Sequence, residues 1–480
     1  MLRQSARCRW SACSLAQIAL FYSVAEHPGY NARMPKRFDR NKQHTRSVDV
    51  RRAKGPARPR PASRPPTAAP ETPPLEPHEL PATPPAGSDY TPPPGTPTVH
   101  LRSASYGAFI YQKMVGRVGS TVRDGDLVAV LDKHGTFFGW GFFNSRSQIA
   151  LRMFSHDPRP VGDEEISLRI RRAVQFRRDV LQLGKTTDAL RLVHAEGDGL
   201  SGLVADRFGE YVVLELFSLA MFRRAEFIQD AFIKAGLSVR EFIVRADKQA
   251  AEYEGFRTAS IRQAKAQSTE ISENGVRFCV DLAHGHKTGF FCDQRENRLA
   301  ATALTPGRSV LDCCCYTGGF ACYAATLGKA RSVTGVDLDE KALEVAKANA
   351  SLNQASISFT HADAFDYLRS VAQQGRQWDL VILDPSKFVP RREQLAEGLR
   401  KYHDLNKLAM AVVAEGGLLI TCSCSGLVDA PTFAQTVARA SRSAGRTLQV
   451  FRTSGAAADH PVMADAPQGA YLKVIWARVS

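Results

Sequence analysis

The 480-residue sequence predicts an α/β chain organised around a doubly wound parallel sheet in its C-terminal part. Three observations predict this. From Arg308 onward, apolar runs of strand length alternate with segments of helical periodicity. Those runs are nearly continuous in Val, Ile and Leu, as strands buried on both faces require. Three successive runs also end close to an acidic residue, at the edge where such sheets bind ligands.

The expected strands are 309–314, 332–337, 357–361, 378–384, 416–423, 447–452 and 470–478. Helices fit between them at 319–328, 340–353, 363–374, 391–414 and 430–445. A short connection joins the last two strands, which suits an antiparallel pair at the sheet edge. Upstream, short β-type runs such as Phe109–Tyr111, Asp126–Leu131, Thr136–Trp140 and Ile149–Met153 are separated by Asp124-Gly125 and His134-Gly135 turns. They predict a small β-barrel over 97–157. Residues 158–270 read as α+β. An Arg-rich helix spans Glu164 to Leu183, a strand Tyr211 to Leu216, and a second helix Phe222 to Ala235. The final domain is expected over 271–480, opening with a strand from Val276 to Leu282.

Residues 1–96 do not read as a domain. Sixteen of the 26 prolines fall between Pro56 and Pro97, with few large apolar residues. Such a segment cannot bury enough surface to offset its ordering entropy, so a disordered tail is expected. The formal charge is +15, of which +8 lies in residues 1–96 and +7 in the rest. A basic balance favours polyanions, chiefly nucleic acid, but the folded part is only mildly basic. Ten cysteines sit mostly inside strand-like runs, without a disulfide ladder or two separated CxxC pairs. Reduced thiols in a cytoplasm and no structural zinc are therefore expected. No apolar run reaches the length of a membrane span. The stretch Ser14 to Ala25 after Arg3, Arg7 and Arg9 has the look of a short targeting segment, which a start at Met34 would remove.

The first strand of the sheet, Ser309 to Asp312, runs into Cys-Cys-Cys-Tyr316-Thr-Gly318-Gly319. Glycines at a strand-to-helix turn let the backbone approach a ligand closely. The spacing is not GxGxxG, which argues against a dinucleotide. Asp337 closes the second strand, where a carboxylate suits two ribose hydroxyls. Asp363 follows the third, where it can accept from an adenine amino group or cap the next helix. The set fits S-adenosyl-L-methionine, with Asp312, Tyr316, Gly318, Gly319, Asp337 and Asp363 around it.

The fourth strand delivers Asp384-Pro385-Ser386-Lys387, and the fifth delivers Cys422-Ser423-Cys424-Ser425-Gly426. A carboxylate and a thiol thus face one crevice beside the cofactor. That pairing suits methylation at carbon 5 of a pyrimidine. A thiolate added to carbon 6 makes carbon 5 nucleophilic, and a carboxyl group at nitrogen 3 stabilises the charge that develops. Cys422 and Cys424 share the same strand parity, so spacing does not choose between them. A strand-end cysteine can equally be a small buried hydrophobe.

These residues carry a family resemblance. From about Gly95 onward the chain resembles bacterial 23S ribosomal RNA cytosine-5 methyltransferases, which join a PUA-like domain to a Rossmann-like class I methyltransferase domain. The motifs are His284-Gly-His-Lys-Thr-Gly289-Phe-Phe-Cys-Asp293-Gln-Arg295, Tyr316 to Phe320, Asp384 to Phe388, Ser423 to Gly426, Ala458 to Pro461, and Ala195 to Gly209. The resemblance implies Cys424 as nucleophile, Asp384 at the base, and RNA as partner. It also implies a cofactor-covering loop over 287–295, including Lys287, Thr288, Gly289 and Phe290. Lys287 and Arg295 suit either phosphate or acids of the fold. Two departures stand out. Ser386 replaces the second proline of the usual Asp-Pro-Pro-Lys, and Tyr106-Gly107-Ala108-Phe109 stands where the family has Gly-His-Pro-Trp. Asp459 and His460 are candidates for removing the carbon 5 proton, with a turn cap as the alternative role. A guanine-N7 methyltransferase would need no thiol, and a silent RNA-binding assembly factor would need neither Asp384 nor the glycine turn.

Overall fold

The computed structural model describes residues 90–258, 261, 264–283, 285 and 288–480. The tail expected over 1–96 lies outside the described residues as far as residue 89, and so does Lys287.

Six strands form the first sheet: β1 (Thr98–Leu101), β2 (Phe109–Tyr111), β3 (Val115–Val118), β4 (Leu127–Leu131), β5 (Phe137–Phe143) and β6 (Ile149–Ser155). Their order is β2-β6-β5-β4-β1-β3, and the two edge strands are joined through the 3-10 turn Gln112–Met114. The expected barrel is thus a six-stranded sheet whose ends meet along the chain. Phe142 and Phe154 leave it to share one apolar cluster with Ile166, Ile170, Leu192 and Leu214 of the next region.

That region holds a four-stranded sheet, in the order β10 (Glu241–Arg245), β9 (Tyr211–Leu216), β8 (Leu203–Phe208), β7 (Ala189–His194). The helix read as Glu164 to Leu183 is shorter. It runs as Asp163–Gln175 and then widens into a π turn, Phe176–Val180. The difference has a polar cause. Arg177 is buried in that turn and bonds the Arg191 carbonyl, Asp198 and the Asp459 carbonyl. The helix read as Phe222 to Ala235 is two, Leu219–Arg223 and Ala225–Lys234, the first capped by the Ser218 hydroxyl.

A hairpin of β11 (Ser268–Glu273) and β12 (Val276–Asp281) leads into the main sheet. Its strands are β13 (Ser309–Cys313), β14 (Ser332–Asp337), β15 (Ser358–His361), β16 (Trp378–Leu383), β17 (Val413–Ser423), β18 (Leu448–Ser454) and β19 (Lys473–Val479). They lie in the order β15-β14-β13-β16-β17-β19-β18. The first five are parallel, and β19 runs antiparallel to both β17 and β18. The last two strands form the antiparallel pair expected at the sheet edge, with β18 outermost and β19 between β17 and β18.

Side-chain alternation splits the strands between two cores. Leu311, Cys313, Val381, Leu383 and Leu419 pack with residues of the helices Ala364–Gln373, Leu395–Ala411 and Ala430–Ser443. Val310, Leu380, Ile382, Ile420, Cys422 and Trp476 pack with residues of Arg295–Thr302 and Gly319–Ala325 on the other face. Helix starts are set by side-chain caps. Asp339 accepts from the Ala342 N–H and Asp429 from the Thr432 N–H. With the cores holding both faces, the carboxyl ends of β13, β14, β16 and β17 are left at one rim.

Candidate active site

Register aligns the rim. Asp312 pairs with Gly335 on one side and Ile382 on the other, and Leu383 pairs with Thr421. The residues just beyond each strand therefore share one level. Between β13 and the next helix the chain turns through left-handed residues, Cys314 (φ 60°), Tyr316 (φ 50°) and Gly318 (φ 77°). Two non-glycine residues in that region mark a turn held by its surroundings. The holders are specific. The Tyr316 N–H donates to Asp337 Oδ2 at 2.7 Å, and the Cys315 N–H donates to the Val336 carbonyl at 3.0 Å. Asn349 bridges from below: its amide donates to the Thr317 carbonyl at 2.9 Å and accepts from the Cys279 N–H at 2.8 Å.

Gly335 gives the turn its room. A Cβ there would stand 2.7 Å from Phe359 and 3.1 Å from Cys315 Sγ. Gly319 starts the following helix. Asp312, only 1% exposed, accepts the Ala321 N–H at 2.9 Å through Oδ2, while its buried Oδ1 has no hydrogen-bond partner. Burial and the charge of Asp384 push the Asp312 carboxyl well above its ordinary pKa. Burial also raises that of Asp337, against the peptide N–H groups of Asp339 and Tyr316. A buried acceptor lacking a donor, a glycine turn and a second carboxylate at the strand end suit the ammonium and ribose ends of an adenosyl amino acid. Asp363 caps its helix, accepting the Phe365 and Asp366 N–H groups at 2.8 and 3.2 Å through Oδ1.

On the other side of the rim, the Cys424 thiol points at the Pro385 carbonyl, 3.9 Å away, one residue past Asp384. Cys424 is partly exposed, whereas Cys422 is fully buried in the core under the sheet. Burial pushes the Cys422 thiol well above its ordinary pKa. Ser425 pins the two loops together: its hydroxyl accepts the Val389 N–H at 3.2 Å and meets the Tyr402 hydroxyl at 2.8 Å.

Comparison with known proteins identifies the family. Residues 257–465 match the family of S-adenosylmethionine-dependent methyltransferases, and residues 108–156 match PUA-like domains. The ribosomal RNA large subunit methyltransferase I of Aeromonas hydrophila is 37% identical over 375 residues, which is 76% of this chain and 93% of the relative. Its counterpart in Escherichia coli O139:H28 is 35% identical over 379 residues, 77% and 95% of the two chains. The chain belongs to the ribosomal RNA large subunit methyltransferase I family. A structure described as a SAM-dependent methyltransferase from Streptococcus mutans shares the fold, with TM-score 0.67 at 19% identity over 79% of this chain and 99% of that one. S-adenosylmethionine is the cofactor of this methyltransferase.

The loop expected over the cofactor takes several roles in this methyltransferase. Phe291 sets its ring edge-on against Tyr316, centroids 5.0 Å apart, so the loop reaches the turn after β13. Thr288 is buried and donates to Asp206 at 2.5 Å. Phe290 packs in the core against Phe278, with the Arg298 guanidinium over its ring at 4.8 Å. Gly289 lies against β12, where a Cβ would be 2.8 Å from Val280. Arg295, which suited either phosphate or an acid of the fold, pairs with Asp459. Asp459 and His460 are both buried and bond each other at 2.9 Å. Two residues that sequence reasoning passed over stand beside the site. Asn349 supports the cofactor turn, and Lys473 donates to the Ser425 carbonyl at 2.6 Å. The signal for Lys473 is a cation opening a strand whose next four residues are apolar.

Proposed function

We propose that this methyltransferase modifies carbon 5 of a cytosine in large-subunit ribosomal RNA through a covalent adduct of Cys424. The single observation that carries the reading is the approach of the Cys424 thiol to the Asp384-Pro385 loop, at 3.9 Å from the Pro385 carbonyl, while Cys422 is enclosed in the core. The named activity of the relatives points to the RNA, and the PUA-like match is consistent with it. A cytoplasmic place of action accompanies such a substrate.

Bound S-adenosylmethionine supplies an electrophilic methyl group. The chain does the rest. Cys424, as thiolate, adds to carbon 6 of the ring, and carbon 5 becomes the nucleophile. Asp384, as the carboxylic acid, donates its proton toward nitrogen 3 as negative charge develops there and takes it back when the adduct breaks. Asp312, Asp337 and the left-handed turn at Tyr316 and Gly318 fix the cofactor, with Asp363 at the adenine end. Once carbon 5 has gained the methyl group and lost its proton to a base, the Cys424–carbon 6 bond breaks and thiolate is regenerated. A paired target must leave its stack to reach this crevice.

The test is methyl transfer from radiolabelled cofactor to undermodified ribosomal RNA, using wild type, Cys424→Ala and Cys422→Ala, with the labelled nucleoside identified after digestion. Label in 5-methylcytosine that disappears only in Cys424→Ala is expected. Label in a guanosine, or full activity in Cys424→Ala, rejects the adduct mechanism.

A further inference from the structure

Lys473 opens β19 and is buried, 7% exposed, in a strand whose next four residues are apolar and buried. Its ammonium is held by two backbone carbonyls, Ser425 at 2.6 Å and Tyr471 at 2.8 Å, and among the described residues no carboxylate bonds it. A buried cation that no carboxylate bonds directly is costly, and a negative charge arising beside it would offset that cost.

The ladder says where. Ser423 on β17 stands directly opposite Lys473 on β19. The lysine therefore lies beside the residue before Cys424 and bonds the carbonyl of the residue after it. Cys424 is bracketed. The insertion of β19 between β17 and β18 is what brings this cation to the strand that carries the thiol.

We propose that Lys473 is the counter-charge of the Cys424 thiolate, a positioning residue that keeps the thiol ionised and fixed toward the Asp384 side of the crevice. The proposal rests on the role of Cys424 put forward above. A free thiol is ionised only to a few per cent at neutral pH, and an adjacent cation lowers its pKa. Burial of the Lys473 end of the pair strengthens the attraction relative to water. Burial pushes the Lys473 ammonium down to about 8, while Cys424 acts in the opposite direction. The other charged groups around it are Lys387, which lowers its pKa further, and Asp429, which raises it. Tyr402 and Tyr471 also face Cys424, and burial pushes both phenols up, so they remain neutral across the relevant range.

The experiment follows carbamidomethylation of Cys424 by iodoacetamide across pH 5–10 on the full chain, without cofactor or RNA, read by peptide mass spectrometry. In Lys473→Met the Cys424 profile should move up by about one pH unit, roughly a tenfold slower reaction at neutral pH. Lys473→Arg should restore most of the shift. The reciprocal arm uses a variant at the partly exposed cysteine. In Cys424→Ala, the Lys473 ammonium, followed by NMR of 15N-labelled lysine, should titrate lower by the same amount, since coupling is mutual. An unmoved Cys424 profile in folded Lys473→Met overturns the proposal. So does an unmoved Lys473 titration in Cys424→Ala, which decides the matter if Lys473→Met fails to fold. Neither readout involves methyl transfer. Methylation surviving Cys424→Ala would therefore end the nucleophile assignment, and unmoved titrations would end the ion pair alone.

Discussion

Asp459 receives the guanidinium of Arg295 through both carboxylate oxygens, at 2.8 and 3.0 Å. Its Oδ2 also accepts the Arg191 peptide N–H at 2.9 Å. Arg177 reaches the Asp459 carbonyl at 2.7 Å and Asp198 at 2.5 Å. Asp206, bonded by Arg191 and Thr288, continues the set. These largely buried charges join the loop that follows β18 to the central sheet.

Burial alone would raise the Asp459 pKa, but His460 and Arg295 override it and hold the carboxyl well below the usual range. A depressed folded pKa contributes stability that is complete above the unfolded value, about 4, and is lost as pH falls toward the folded one. Asp459→Asn should lower stability at neutral pH by about 3–5 kcal/mol. It should also flatten the loss of stability below about pH 4. Urea titrations at a series of pH values measure both. Curves for the variant that run parallel to wild type through the acid range would contradict the assignment.

The cofactor turn yields a second prediction. In Gly335→Ala the added methyl group meets Phe359 at 2.7 Å and Cys315 Sγ at 3.1 Å. Overpacking should cost about 1–3 kcal/mol of stability. Loss of about 1 kcal/mol from binding would weaken S-adenosylmethionine roughly fivefold. Gly375→Ala provides the contrast. It has φ +68° but open space around it, so it carries backbone strain of about 1 kcal/mol and should leave cofactor binding unchanged. Calorimetric titration of the cofactor separates the two variants.

Asn349→Ala should loosen the same turn from beneath. It leaves the Thr317 carbonyl and the Cys279 N–H without their partner, for about 2–4 kcal/mol in total. Hydrogen exchange of the peptide covering 313–320 should accelerate, while exchange in the first sheet stays as in wild type. Equal acceleration in both regions would mean that Asn349 serves global stability rather than the turn.

Much of the main sheet was legible because parallel strands buried on both faces are written as apolar runs. Trp378 to Leu383 and Ser309 to Cys313 are found where that pattern puts them. The position of β19 was not legible. Its sequence is strand-like wherever it lies, and only the pairing of Thr421 with Ile475 shows it inside the sheet. Arg177 illustrates a second limit. Its helical spacing is real, but its partners are 21 and 282 residues away, and local periodicity carries no information about them. Of the two acids read as cofactor contacts beyond β13, Asp337 supports the turn at Tyr316, while Asp363 also serves as a helix cap, a role its sequence context already allowed. Thr288 and Phe290 resemble family positions in type, yet one bonds Asp206 and the other fills a core. Residue identity conveys chemistry more readily than direction.

The Arg177, Arg191 and Arg295 contacts to Asp459 bear on how such a protein can be recombined. A crossover between two related genes anywhere between the codons of Arg191 and Asp459 would bring the Arg191 peptide N–H, and beyond the codon of Arg295 its guanidinium as well, from one parent to a carboxylate loop from the other. Unless both parents place that aspartate alike, the hybrid would enclose polar groups with no partner. The loop around Asp459 and the strand carrying Arg191 are thus inherited as a unit, although 268 residues of chain separate them. Chimeras that exchange the central sheet should carry the Asp459 loop of the same parent.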